Sequence, residues 1–248
     1  MKTATRTDDL KAEISEPKLS DSALQFIDSV LALKPSIAVF DCDGTLWSGD
    51  AGADFFYWEV KHDLIPAKTA EWAQARYRDY KAGLVDEETM CGEMVTINAG
   101  VPEHLLQQAA EDFFPAVVAH RIFPDMLQLT RRLKAAGCQL WAVSSTNVWA
   151  IRAGVKRFGI PEENVLAACV HIENGLATDQ LIRVPTDEGK AIALQETLSK
   201  TVDACFGNSI HDADMLAISK HPFAVNPNPD LESIAMEKGW KIHRPMEK

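Results

Sequence analysis

Five short apolar runs, four of them separated by stretches of helical spacing, constrain this chain more than any other feature. They read SIAVFD (36–41), CQLWAVSS (138–145), NVLAACV (164–170), ACFGNS (204–209) and FAVN (223–226). Runs without polar alternation are the pattern of strands covered on both faces. Between the later runs lie FPDMLQLTRRLKAAG, VWAIRAGVKRFG, EGKAIALQETLSK and DADMLAISK, with Gly137 and Gly159 where helix-ending glycines belong. This alternation predicts an α/β fold: a Rossmann-like open parallel sheet with helices on both faces and right-handed crossovers.

Residues 50–120 break the rhythm. They hold four helical patterns and no convincing strand. About seventy helical residues exceed one crossover, so an α-helical cap domain inserted after the first core strand is expected over 50–120. The α/β core domain then comprises 20–49 and 121–248. Residues 1–19 are polar and expected to be mobile. SDSALQFIDSVLAL predicts a docked helix capped by Ser20 or Asp21, with Leu24, Ile27, Val30 and Leu31 on its apolar face and Pro35 at its end. Ligands bind at the carboxyl edge of such sheets, and the insert is expected to lie over that edge.

A formal charge of -11 argues against nucleic acid or an anionic membrane as partner. It allows an anionic small substrate, because a bound cation reverses the local field. The five cysteines, at 42, 91, 138, 169 and 205, include no CxxC pair. With no apolar signal segment and no run long enough to span a membrane, they point to a cytoplasmic protein with reduced thiols.

The first run ends on VFDCDGTLW (39–47). Positions two apart on a strand share a face, so Asp41 and Asp43 can enter one crevice, while Cys42 points away into packing. Two carboxylates so close require a cation or a shared proton. Asp-Gly is also ordinary turn chemistry. Three later stretches favour the crevice: Ser144 and Ser145 at a strand end, Lys190 in a first helical turn, and Asn208, Asp212 and Asp214 after another strand. Together they supply a nucleophile, an acid/base, phosphate-oxygen donors and an oxygen site for Mg²⁺. VPTDEGKA is not a Walker A loop, since the first glycine is missing and Ala191 follows the lysine. His211, Asp212 and Asp214 lack the companions of a zinc site.

In this order, Asp41-Cys-Asp43-Gly44-Thr45, Ser144, Lys190 and Gly207-Asn208…Asp212 resemble the four motifs of haloacid dehalogenase (HAD) superfamily phosphatases. The insert and FGIPEENVLAACVHIENG resemble the phosphoserine-phosphatase-like subgroup. The resemblance implies an Mg²⁺-dependent phosphomonoester hydrolase. Asp41 would attack phosphorus to give an aspartyl-phosphate, and Asp43 would serve as acid and then base. It implies phosphate binding by Gly44, Thr45, Ser144, Ser145 and Lys190, and metal binding by Asp41, the Asp43 carbonyl, Asn208 and Asp212.

Two departures stand out. Asn208 replaces the family's usual metal-binding Asp, which shifts the expected burden to Asp212, and Ser145-Thr146 replaces a glycine pair. The substrate expected is a small phosphorylated metabolite, phosphoserine-like or another amino-alcohol phosphate. Asp50 stands where the subgroup's ammonium-binding acid falls, and is equally a turn residue in SGDAG. No cap arginine matches the subgroup's carboxylate holder, Arg76 and Arg78 being out of place. Trp47, Phe55, Phe56 and Trp58 are core or an aromatic wall for an ammonium; Asp50 and Trp47 are the substrate-binding candidates. Transfer to an alcohol acceptor and ligand binding on a degenerate scaffold are the alternatives.

Overall fold

The computed structural model describes residues 18–246 of the 248, so the expectation for 1–19 falls almost wholly outside the described residues. Seven strands form one sheet in the order β4-β3-β2-β1-β5-β6-β7. These are β1 (Ile37–Phe40), β2 (Gln139–Asn147), β3 (Val165–Glu173), β4 (Leu176–Arg183), β5 (Ala204–Gly207), β6 (His221–Val225) and β7 (Lys241–His243). β1 lies centrally, parallel to β2 and β5.

Both sheet faces are buried, as the continuous apolar runs require. Ala38 and Phe40 of β1 pack into a cluster with Ile27, Met126 and Ile151. Ile37 and Val39 point the other way, into a cluster with Leu194, Met215 and Leu231. The first face is covered by α1 (Asp21–Leu31), α6 (Pro124–Ala135) and α7 (Val148–Val155), and the second by α8 (Glu188–Thr197), α9 (Ala213–Ala217) and α10 (Pro229–Lys238).

Three local expectations need correction. In α1, Leu24 is exposed and Ala23 takes the inward place beside Ile27 and Val30. The sheet is not wholly parallel: β4 runs antiparallel to β3. Asn174-Gly175, both at positive φ, make the hairpin turn that reverses the chain, and β4 keeps Leu176, Leu181 and Ile182 exposed, so it lacks the unbroken apolar run of a doubly covered strand. β7, three residues long, is too short to leave a pattern.

Between β1 and β2 lie α2 (Ala51–Lys61), α3 (Ala67–Lys81), α4 (Glu87–Thr96) and α5 (Glu103–Phe113), followed by a π turn and a 3₁₀ turn to Arg121. Asp50 and Asp86 cap α2 and α4 through their carboxylates. Backbone bonds from Gly100 to Ala177 and from Glu103 to Gly175 tie this helical stretch to the β3–β4 hairpin.

Candidate active site

A cavity of about 440 Å³ opens at the carboxyl ends of β1, β2 and β5, between them and α2, α3 and α4. Asp41, Asp43, Gly44, Asp50, Ser144, Ser145, Lys190 and Asn208 all line it, although they come from four separate stretches of chain.

Asp41 is nearly buried. Its Oδ1 accepts from Lys190 Nζ at 2.8 Å and its Oδ2 from Thr45 Oγ1 at 2.9 Å. Lys190 is only 2% exposed and also donates to Asp212 Oδ1 at 2.6 Å, so one cation bridges two carboxylates. Burial, and then the Asp212 charge, push the Asp41 carboxyl up to about 6 against the pull of Lys190.

Asp43 is wired differently. Its Oδ1 accepts two N–H groups, Trp47 Nε1 and the Ala51 amide, each at 2.7 Å; its Oδ2 faces Thr146 Oγ1 at 2.8 Å. Burial and the nearby Asp50 charge raise its carboxyl to about 7, against those hydrogen bonds. Two N–H donors on Oδ1 leave Oδ2, which accepts from the Thr146 hydroxyl, as the oxygen able to carry a proton.

Several predicted roles change. Trp47 is fully buried, absent from the cavity wall and packed on Phe114 and Phe158, so it orients Asp43 and meets no substrate. Thr45 is fully buried too, its hydroxyl committed to Asp41 and thus withheld from phosphate. The Gly44 amide donates to the Trp47 carbonyl, so this glycine serves by conformation. Its φ is +77°, and a Cβ there would sit 2.0 Å from Asn208 Nδ2. Arg76 forms a bidentate pair with Glu93 away from the cavity. Asp50 lines the cavity while one of its oxygens caps α2. Phe55 and Phe56 line it from α2. Thr146 was missed as a partner of Asp43, because a bulge in β2 after Ser144 turns it into the site.

Asp212 is held on both oxygens. Its Oδ1 takes Lys190, and its Oδ2 accepts from the Asn208 and Ser209 amides at 2.9 Å and faces the Ser209 hydroxyl. Asn208, in contrast, makes no side-chain hydrogen bond among the described residues and faces the cavity over Gly44. Among those residues no three His, Cys, Asp or Glu side chains gather as a metal cage. Asp41 and the Asn208 amide offer hard oxygen donors at the cavity wall, the kind that Mg²⁺ takes while keeping several waters.

The family model for haloacid dehalogenase-like hydrolases matches residues 38–217. A histidinol-phosphatase from Neisseria meningitidis serogroup C (strain 8013) is 27% identical over 84% of this chain and 97% of its own length. Phosphoserine phosphatase SerB1 from Mycobacterium tuberculosis (strain ATCC 25618 / H37Rv) is 24% identical over 83% of this chain and 69% of its own. A crystal structure of a protein of unknown function from Bordetella pertussis Tohama I, 22% identical, superposes with a TM-score of 0.73 over 84% of this chain and 97% of that one.

Proposed function

The chain belongs to the haloacid dehalogenase-like hydrolase family and is a phosphatase, and on that premise we propose that it hydrolyses a small amino-alcohol phosphate through an aspartyl-phosphate on Asp41. The observation that carries this reading is the unequal wiring of two carboxylates on one cavity floor: Asp41 is tied to Lys190, and Asp43 is held by two N–H donors with Oδ2 turned to Thr146.

In the first half, an Asp41 oxygen attacks phosphorus as the P–O bond to the alcohol breaks. The proton on Asp43 Oδ2 passes to the departing alkoxide. In the second half the same oxygen takes a proton from water as that water displaces Asp41, which frees phosphate. Lys190 offsets the negative charge around Asp41 throughout, and Ser144 and Ser145, at the cavity wall, donate to phosphate oxygens. Mg²⁺, held by Asp41, the Asp43 carbonyl and Asn208, supplies charge neutralisation at the phosphate when bound. Asp212 acts as a positioning residue for Lys190 and the 208–209 backbone. The helices between β1 and β2 form the cap that closes the cavity. An intracellular location accords with five unpaired cysteines and with the absence, among the described residues, of a helix long and apolar enough to cross a membrane.

Phosphate release from a panel of phosphomonoesters, with Mg²⁺ and then with EDTA, tests the reading. Release that needs Mg²⁺ and vanishes in Asp41→Asn is expected. Turnover only on addition of an acceptor alcohol, or ligand-induced stabilisation without turnover, contradicts it.

A further inference from the structure

The cavity contains a carboxyl that the chemistry on its floor leaves unused. Glu59, on α2, lines the cavity and is 1% exposed, yet its Oε1 has no hydrogen-bond partner. The Asn98 side chain reaches it, and the Asn98 Oδ1 is likewise buried and unpartnered. As a carboxylate, Glu59 leaves Oε1 with no donor; only as a neutral acid does it bring an O–H of its own. Leaving such groups unsatisfied is costly, and natural cores rarely tolerate it without a reason.

The other acids of the wall have partners. Glu87 accepts from the Tyr80 hydroxyl, and Asp50 caps α2. Lys190 is the one lysine or arginine among the lining residues, and two carboxylates already hold it. Of the arginines nearest in sequence to the cap chemistry, Arg76 is paired with Glu93, and Arg121 pairs with Asp54 through one terminal nitrogen and leaves its Nε without a partner. Among the lining residues, then, no lysine or arginine is left over for a second anion. Phe55 and Phe56, one turn before Glu59, join Tyr77 and Tyr80 as aromatic wall, a surface that suits a cation.

We propose that Glu59 is a specificity-determining residue that receives a cationic amine of the substrate, and that this substrate is the phosphate ester of an amino alcohol without a carboxylate. The proposal rests on the phosphatase reading above. Burial, opposed by Asn98, holds the Glu59 carboxyl well above the usual range. An incoming ammonium supplies the missing N–H donors and the charge that keeps the carboxylate ionised.

The test compares 2-aminoethyl phosphate, its uncharged counterpart propyl phosphate, and O-phosphoserine. In the wild type, kcat/KM for the amine is expected to exceed that for propyl phosphate by roughly tenfold to a hundredfold, the scale of a buried charge pair, with phosphoserine below the amine. In Glu59→Gln the ratio of amine to propyl ester collapses toward one, and a far-UV circular dichroism spectrum matching the wild type reports a folded protein. Glu59→Asp, which keeps the charge, retains part of the preference. On the wild type alone, 2-aminoethanol inhibits propyl phosphate turnover and 1-propanol does not. A preference that survives Glu59→Gln, equal inhibition by the two alcohols, or phosphoserine as the better substrate overturns the subsite. Those outcomes leave the phosphatase chemistry standing, whereas failure to hydrolyse any of the three esters overturns both.

Discussion

Trp47 Nε1 lies 2.7 Å from Asp43 Oδ1, four residues away, and the indole that carries it is wholly buried. The aromatic core thus fixes which oxygen of Asp43 is left for the proton. Asp43 must be protonated in the first step, so turnover falls as pH rises through its value of about 7. Trp47→Phe keeps the ring and removes a donor that favours the carboxylate. The alkaline limb of kcat/KM then moves to higher pH, and the maximal rate drops by about tenfold because the acid loses its anchor. An unmoved limb in a pH–rate profile contradicts this assignment.

Lys190 stands between Asp41 and Asp212 at 2.8 and 2.6 Å, with all three side chains buried. Lys190→Met leaves two buried carboxylates facing each other. A loss of about 3–5 kcal/mol is expected by urea denaturation, together with loss of phosphatase activity. Unchanged stability would mean that the two acids are not held by this cation.

Asn208 reaches the cavity over Gly44 with no protein partner for its amide. Replacing it by a carboxylate adds a charge to the proposed Mg²⁺ site. In Asn208→Asp the Mg²⁺ concentration for half-maximal activity is expected to fall on the order of tenfold. No tightening in that titration contradicts the assignment of Asn208 as ligand.

Glu59 makes a stability prediction independent of substrate. Burial raises its carboxyl in the folded protein above the unfolded value, so the folded state holds the proton more tightly. The associated stability is complete below the ordinary glutamate range and is lost as pH climbs toward the raised value. Glu59→Gln cannot ionise. Its Tm minus that of the wild type should therefore grow from pH 5 to pH 8, and a constant difference contradicts burial of an ionisable group there.

The parallel core was legible because doubly covered strands read as unbroken apolar runs, and Asp41, Ser144, Lys190 and Asn208 because strand ends and a first helical turn fix where side chains emerge. What escaped depended on contacts between elements. Thr146 faces Asp43 only through the β2 bulge. Glu59 is one acid among several on α2 and α3 until the packing of α2 against Asn98 buries it. Trp47 seemed available to substrate because an indole next to an active carboxylate reads alike whether it faces the cavity or the core. The contacts of Asp212 with Lys190 and with two amides of its own turn are likewise set by packing between elements, not by spacing.

The most direct measurement traps the covalent intermediate. Wild-type protein mixed with 2-aminoethyl phosphate and Mg²⁺, quenched in acid within the first turnovers, is weighed by intact-protein mass spectrometry and then digested. The account predicts a species heavier by one phosphoryl group, located on the peptide that contains Asp41 and absent from Asp41→Asn. Full turnover with no such species, or the phosphoryl group on any other residue, contradicts it.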